Sequence, residues 1–140
     1  MKRVLFDAMH TRWRWLLLAA ALVAAVAHVP VIRPHLAQAP YMGVLFVVLT
    51  AACVLLAGAV VVRDSAAVYA LSVLTCGLAV LGYIATRLVA FPMLADDVGN
   101  WLEPLGLVSI VSETVVMLAA LAALRGHLPV RTIRVPARVE

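Results

Sequence analysis

Glu113 sits where a carboxylate needs a reason. It lies nine residues beyond Pro104 in the apolar run 104–124, about 13 Å along a helix axis. An ionised carboxylate at that depth in lipid is costly, so it must face protein, hold a partner or carry a proton. Ser109 stands four residues earlier on the same face, and Ser112 is adjacent. Arg87, near the end of the preceding apolar run, is the expected charged partner, and His28 is the other candidate. Tyr83, one turn before Arg87, would share their cavity. Glu113, Arg87, Tyr83, His28 and Ser109 are therefore the candidate ligand or ion site.

A wider set carries metal-ligand chemistry. His28, His35, Asp96, Asp97 and Glu103 supply imidazole and carboxylate groups suited to zinc or copper. Against this, two histidines seven residues apart across two prolines form no standard ligand spacing, and no thiolate joins them. One histidine near a helix end gives no bis-histidine pair for haem. Cys53 and Cys76 fall inside apolar runs, without a CxxC arrangement, and read as small buried hydrophobes. No nucleophile–base pair is visible, which weighs against an enzyme. The sequence specifies no cofactor.

Tyr69, Ser72, Cys76, Tyr83 and Arg87 follow spacings of three, four, seven and four. Such spacing forms one stripe on a helix. It is either a helix interface with satisfied hydroxyls or a conduit for protons or ions.

The elements that must carry these residues are transmembrane helices. The chain has 140 residues, 66% of them hydrophobic and 13% charged. Soluble domains carry roughly 25% charged residues. Continuous apolar runs of about 20 residues are the membrane signature. The spans expected are 15–32, 41–62, 66–89 and 104–124. A segment 1–14 precedes them and a basic tail 125–140 follows. The first span is marginal, at about 27 Å, with Pro30 and Pro34 marking a frayed end. Arg63-Asp64-Ser65 is a tight turn in which Asp64 or Ser65 can cap the next helix. Short connections predict an all-α, integral membrane four-helix up-down bundle.

Charge sets the orientation. Lys2, Arg3, Arg12, Arg14, Arg63, Arg125, Arg131, Arg134 and Arg138 fall on one side, leaving Arg33 and Arg87 on the other. The positive-inside rule makes the first side cytoplasmic, with both termini there, in a multi-pass protein of the cell membrane. It also accounts for the net charge of +4 without a nucleic-acid partner. Trp13 and Trp15 bracket Arg14 as interface anchors. The rival to an N-terminal span is a signal peptide cleaved after Ala25-Val26-Ala27. The apolar run continues past that triplet, so the uncleaved helix is the preferred expectation. Residues 91–104, FPMLADDVGNWLEP, are too apolar for a free linker and predict an interfacial lid.

HVPVIRPHLAQAPYMGVLF, from His28 to Phe46, and DDVGNWLEPLG, from Asp96 to Gly106, resemble segments of small uncharacterised actinobacterial four-helix membrane proteins. The resemblance covers most of residues 28–124. It implies a host membrane and carries no catalytic assignment.

Three functions remain. The first is an accessory or structural membrane subunit, in a homo-oligomer or a larger complex, packed through small-residue faces. The second is an outer-face binding protein for a metal, small ligand or lipid-like cofactor. The third is a proton- or ion-coupled transporter.

Overall fold

The computed structural model describes residues 7–127. Lys2, Arg3 and most of the basic tail lie outside them. Four helices follow one another: α1 (Trp13–Gln38), α2 (Pro40–Val62), α3 (Ala66–Leu88) and α4 (Pro104–His127). All four are long and apolar enough to cross a membrane. A single 3-10 turn, Ala95–Asp97, interrupts the α3–α4 loop.

The first helix is longer than its sequence suggests. It runs through Pro30 and Pro34 to Gln38, about 39 Å in all. Each proline removes one N–H donor. Packing against neighbouring helices lets membrane helices tolerate that loss. His35 adds a side-chain bond at the last turns, its Nδ1 lying 2.8 Å from the Val31 carbonyl. Since a carbonyl only accepts, Nδ1 carries the proton. Ala39 alone separates α1 from α2. The turn needs glycine at position 43, because a Cβ there would stand 2.5 Å from the Leu36 backbone nitrogen.

The helices close into a ring. α1 packs extensively on α2 and on α4, and α3 packs on α4. The α2–α3 seam is the sparsest of the four. The buried face of α1 is Leu17, Ala20, Ala21, Ala24, Ala25, Ala27 and His28. Alanines let helix backbones approach closely, which is how apolar helices gain packing in lipid. Opposite them stand Ala57 and Val60 of α2, Tyr69 and Cys76 of α3, and Val116, Ala119, Ala120 and Ala123 of α4. Large aliphatics point outward: Val26 is 70% exposed and Leu55 71%. In water such a surface would drive aggregation. In a bilayer it is simply solvated.

Both ends of the described chain lie at one end of the bundle, where a clamp holds the entry segment. Ala8 forms a β-bridge with Ser65, and Met9 N–H donates to the Asp64 carbonyl at 2.7 Å. The Asp64 carboxylate accepts from Thr11 N–H at 2.9 Å and from the Tyr69 hydroxyl at 2.6 Å. Asp64 thus does not cap α3. Ser65 takes the N-cap position without a side-chain capping bond. The carboxylate turns instead toward the donors of the entry segment, which no cap at α3 would satisfy. Arg12 and Arg14 lie over the Trp13 and Trp15 rings, at 5.7 and 4.8 Å from their centroids.

This packing bears on the Ala25-Val26-Ala27 triplet. It lies inside a continuous helix, with Ala25 and Ala27 buried. Removing residues 1–27 would take Leu17, Ala20, Ala21 and Ala24 out of the core and undo the Asp64 clamp. Protein purified from membranes is expected to keep residues 7–27 joined to the rest of the bundle. Intact-mass spectrometry showing a new N-terminus at His28 would refute this.

Candidate functional site: a polar cluster at mid-depth

Two helices, α1 and α4, bring three polar groups together inside the bundle. α1 supplies His28, about 15 Å from its loop end by residue count. α4 supplies Glu113 at similar depth, and Ser109 one turn nearer the loop. The two helices pack directly, so the side chains meet. His28 Nε2 lies 2.7 Å from Ser109 Oγ and 3.3 Å from Glu113 Oε1. His28 and Glu113 are each 2% exposed. Ser112 donates to the Ser109 carbonyl at 2.9 Å, which fixes the α4 turn between them. Both polar neighbours approach the same imidazole nitrogen. His28 Nδ1 and Glu113 Oε1 are buried without hydrogen-bond partners. A serine–histidine–acid relay needs the acid on the far nitrogen, so the trio is not a nucleophilic triad.

Arg87 does not pair with Glu113. Its Nη1 lies 3.1 Å from Asp97 Oδ1 and donates to the Asp97 carbonyl at 3.1 Å. Its guanidinium carbon stands 4.7 Å from the Tyr83 ring centroid. The reason is position: Arg87 is in the last turn of α3, level with the loop, and Glu113 is more than two turns deep in α4. Arg87 organises the loop instead. Its carbonyl accepts from Gly99 N–H at 3.0 Å. Tyr83 donates to the Trp101 carbonyl at 3.1 Å, and Tyr41 to the Pro92 carbonyl at 2.8 Å. The loop is therefore tied to α2 and α3, with Leu94 buried beneath it. Met93, Val98, Trp101 and Leu102 are exposed.

The five candidate metal ligands go to separate tasks. His28 is inside the bundle. His35 bonds the Val31 carbonyl, and the two histidines bracket Phe46, with ring centroids at 5.6 and 4.8 Å. Asp97 holds Arg87. Glu103 accepts from Gly106 N–H at 2.9 Å, capping α4 ahead of Pro104. Asp96 is exposed. Among the described residues no group of three or more His, Cys, Asp or Glu side chains is arranged to hold a metal ion. Helix geometry explains this: positions 28 and 35 share a face, and Phe46 fills the space between them.

The α3 stripe faces inward along its length. Tyr69, Ser72, Cys76 and Arg87 are buried and Tyr83 is half-buried. Its hydroxyls are satisfied locally: Ser72 donates to the Val68 carbonyl at 2.9 Å, and Tyr69 to Asp64.

The two cysteines stand level in the bundle, Cys53 on α2 and Cys76 on α3. Both thiols are free and fully buried. The sequence carries the signal for their level. Cys53 stands eleven residues before Asp64 and Cys76 eleven after Ser65, so an antiparallel hairpin turning at 64–65 sets them level.

No family model, curated protein or solved structure matches this chain.

Proposed function

We propose that this chain is an accessory or structural subunit of a membrane assembly, in which a helix of a second copy packs into the groove between α1 and α4. The groove carries the reading. It has a volume of about 490 Å³ and opens away from the bundle, between Leu16, Ala19 and Val23 of α1 and Leu107, Val108 and Val111 of α4. Small residues flanked by branched aliphatics form the kind of surface on which transmembrane helices associate. A second described cavity, about 130 Å³, lies at the terminal end beside Met9, Thr11 and Trp13.

The orientation that charge predicts fits the same picture. Arg12, Arg14, Arg63 and Arg125 gather at the terminal end. At the other end Arg87 is paired with Asp97, and Asp96 and Glu103 balance Arg33. The terminal end therefore faces the cytoplasm of the host cell, by the positive-inside rule.

Native mass spectrometry after extraction in mild detergent tests the proposal. Wild type is expected as a homo-oligomer. Ala19→Trp and Val111→Trp, which fill the groove from an exposed position, should shift it to monomer with the helix content unchanged. A monomeric wild type, or an oligomer indifferent to both substitutions, overturns the reading. Co-purification with a different chain would keep the subunit role and replace the second copy as occupant.

A further inference from the structure

We propose that the cavity at the terminal end of the bundle holds the phosphate of an anionic glycerophospholipid, bound by Arg12, Thr11 and Arg125.

The cavity lies between the entry segment and the last turns of α4. Met9, Thr11 and Trp13 line one wall, and Ala122, Ala123 and Gly126 the other. Its volume is about 130 Å³. At about 30 Å³ per water that is room for roughly four waters, close to the four oxygens of a phosphodiester. The depth suits the same group. Trp13 opens α1, and Gly126 is next to the last residue of α4, so the cavity sits where the bundle leaves the hydrocarbon. Lipid headgroups lie at that level, as do the tryptophans of membrane proteins.

The donors stand at its edge. The Arg12 guanidinium carbon is 5.7 Å from the centroid of the Trp13 ring, and that residue is part of the wall. A ring in this position attracts the cation and restrains it. Arg125 and Ala122 are three residues apart on α4, hence neighbours on its surface. Among the described residues no acid forms an ion pair with either arginine. Thr11 Oγ1 accepts from Trp13 N–H at 3.3 Å, and a hydroxyl that accepts still has its own proton to donate. Two acids share this end. The Asp64 carboxylate accepts from Thr11 N–H and from the Tyr69 hydroxyl, and Asp7 is exposed.

Charge complementarity selects the occupant. The chain on either side of the described residues is itself basic, with Lys2 and Arg3 before them and Arg131, Arg134 and Arg138 after, against Glu140 alone. Such segments are repelled by Arg12 and Arg125. A phosphodiester brings a negative charge and acceptor oxygens that match the paired N–H groups of arginine. A zwitterionic lipid brings the same phosphate with a cation attached, so a basic surface favours it less. No residue lines both this cavity and the groove between α1 and α4, so the proposal does not depend on the subunit reading.

Trp13 is a built-in reporter. With Trp15→Phe and Trp101→Phe it becomes the single tryptophan of the full chain. This variant is reconstituted in phosphatidylcholine containing a minor fraction of phosphatidylglycerol. Equal amounts of one lipid or the other are supplied brominated near the ester carbonyls, in both leaflets. Bromine quenches a tryptophan it touches, so the quenching reports which lipid lies beside Trp13. Brominated phosphatidylglycerol is expected to quench well beyond brominated phosphatidylcholine. Arg12→Gln and Arg125→Gln should each lower that preference about 5-fold, the scale of one basic residue at an anionic surface, with helix content unchanged. Arg12→Lys should keep most of it. A chain with Trp101 as its single tryptophan, at the other end of the bundle, should show none. Equal quenching of Trp13 by the two lipids overturns the proposal, and is also what a cavity filled by the chain's own tail would give. A preference equal at Trp101, or one that survives both glutamine substitutions, overturns it too. Millimolar inorganic phosphate that abolishes the preference would make this a site for the free anion and overturn the lipid as occupant.

Discussion

Replacing His28 with leucine should destabilise the bundle by roughly 3 kcal/mol, the usual cost of leaving one member of a buried ion pair without its partner. His28 is the only ion-pair partner of Glu113 among the described residues. It also bonds Ser109 at 2.7 Å. Without the imidazole, the buried Glu113 has no ion-pair partner to offset its desolvation. The companion variants decide the cause. Glu113→Leu leaves an imidazole that can still bond Ser109, so it should cost less than His28→Leu. The double variant should recover most of the loss, because apolar replacement of both partners removes the polar cost together with the pair. Unfolding in mixed micelles, followed by circular dichroism across this double-mutant cycle, measures the coupling. Additive single losses would show that the two side chains act independently.

Asp64→Ala is expected to cost about 3 kcal/mol, from two hydrogen bonds to a charged acceptor at about 1.5 kcal/mol each. The carboxylate is 5% exposed. It is the acceptor for the fully buried Tyr69 hydroxyl and for Thr11 N–H. Removing it strands the Tyr69 donor in the core and releases the segment that enters α1. Two effects separate here. Tyr69→Phe removes one bond and its donor together, so it should cost about 1 kcal/mol and leave the entry segment in place. Asp64→Ala should also expose Asp7–Thr11 to amide exchange, which Tyr69→Phe should not. Equal exchange in both variants would place the clamp elsewhere.

These two sites differ in how far residue order reveals them. Asp64 and Tyr69 are five apart across a turn, so their contact is local. The sequence showed a turn and a capping residue there. It did not show that Thr11 is a donor to Asp64, because that segment arrives from 53 residues away. His28 and Glu113 are more distant still. Sequence placed both in the same half of the bundle, by counting residues from helix ends. It favoured Arg87 as partner because opposite formal charge is the stronger attraction. The bundle decided otherwise because α1 packs closely on α4, and Arg87 sits at the level of the loop.

The sequence by itself determined the four membrane helices, their up-down order and the burial of Glu113. The reason is the solvent: in lipid every backbone donor must be satisfied within its own helix, so apolar length alone specifies the element. Tertiary structure alone decided which helices touch most closely and which side chains meet at each depth. It assigned Glu113 to His28, and Arg87 to Asp97 and the loop. In helices apolar on every face, hydropathy does not mark the inward side. That rotation is set by where alanines let the backbones approach, a property of pairs of helices rather than of any one.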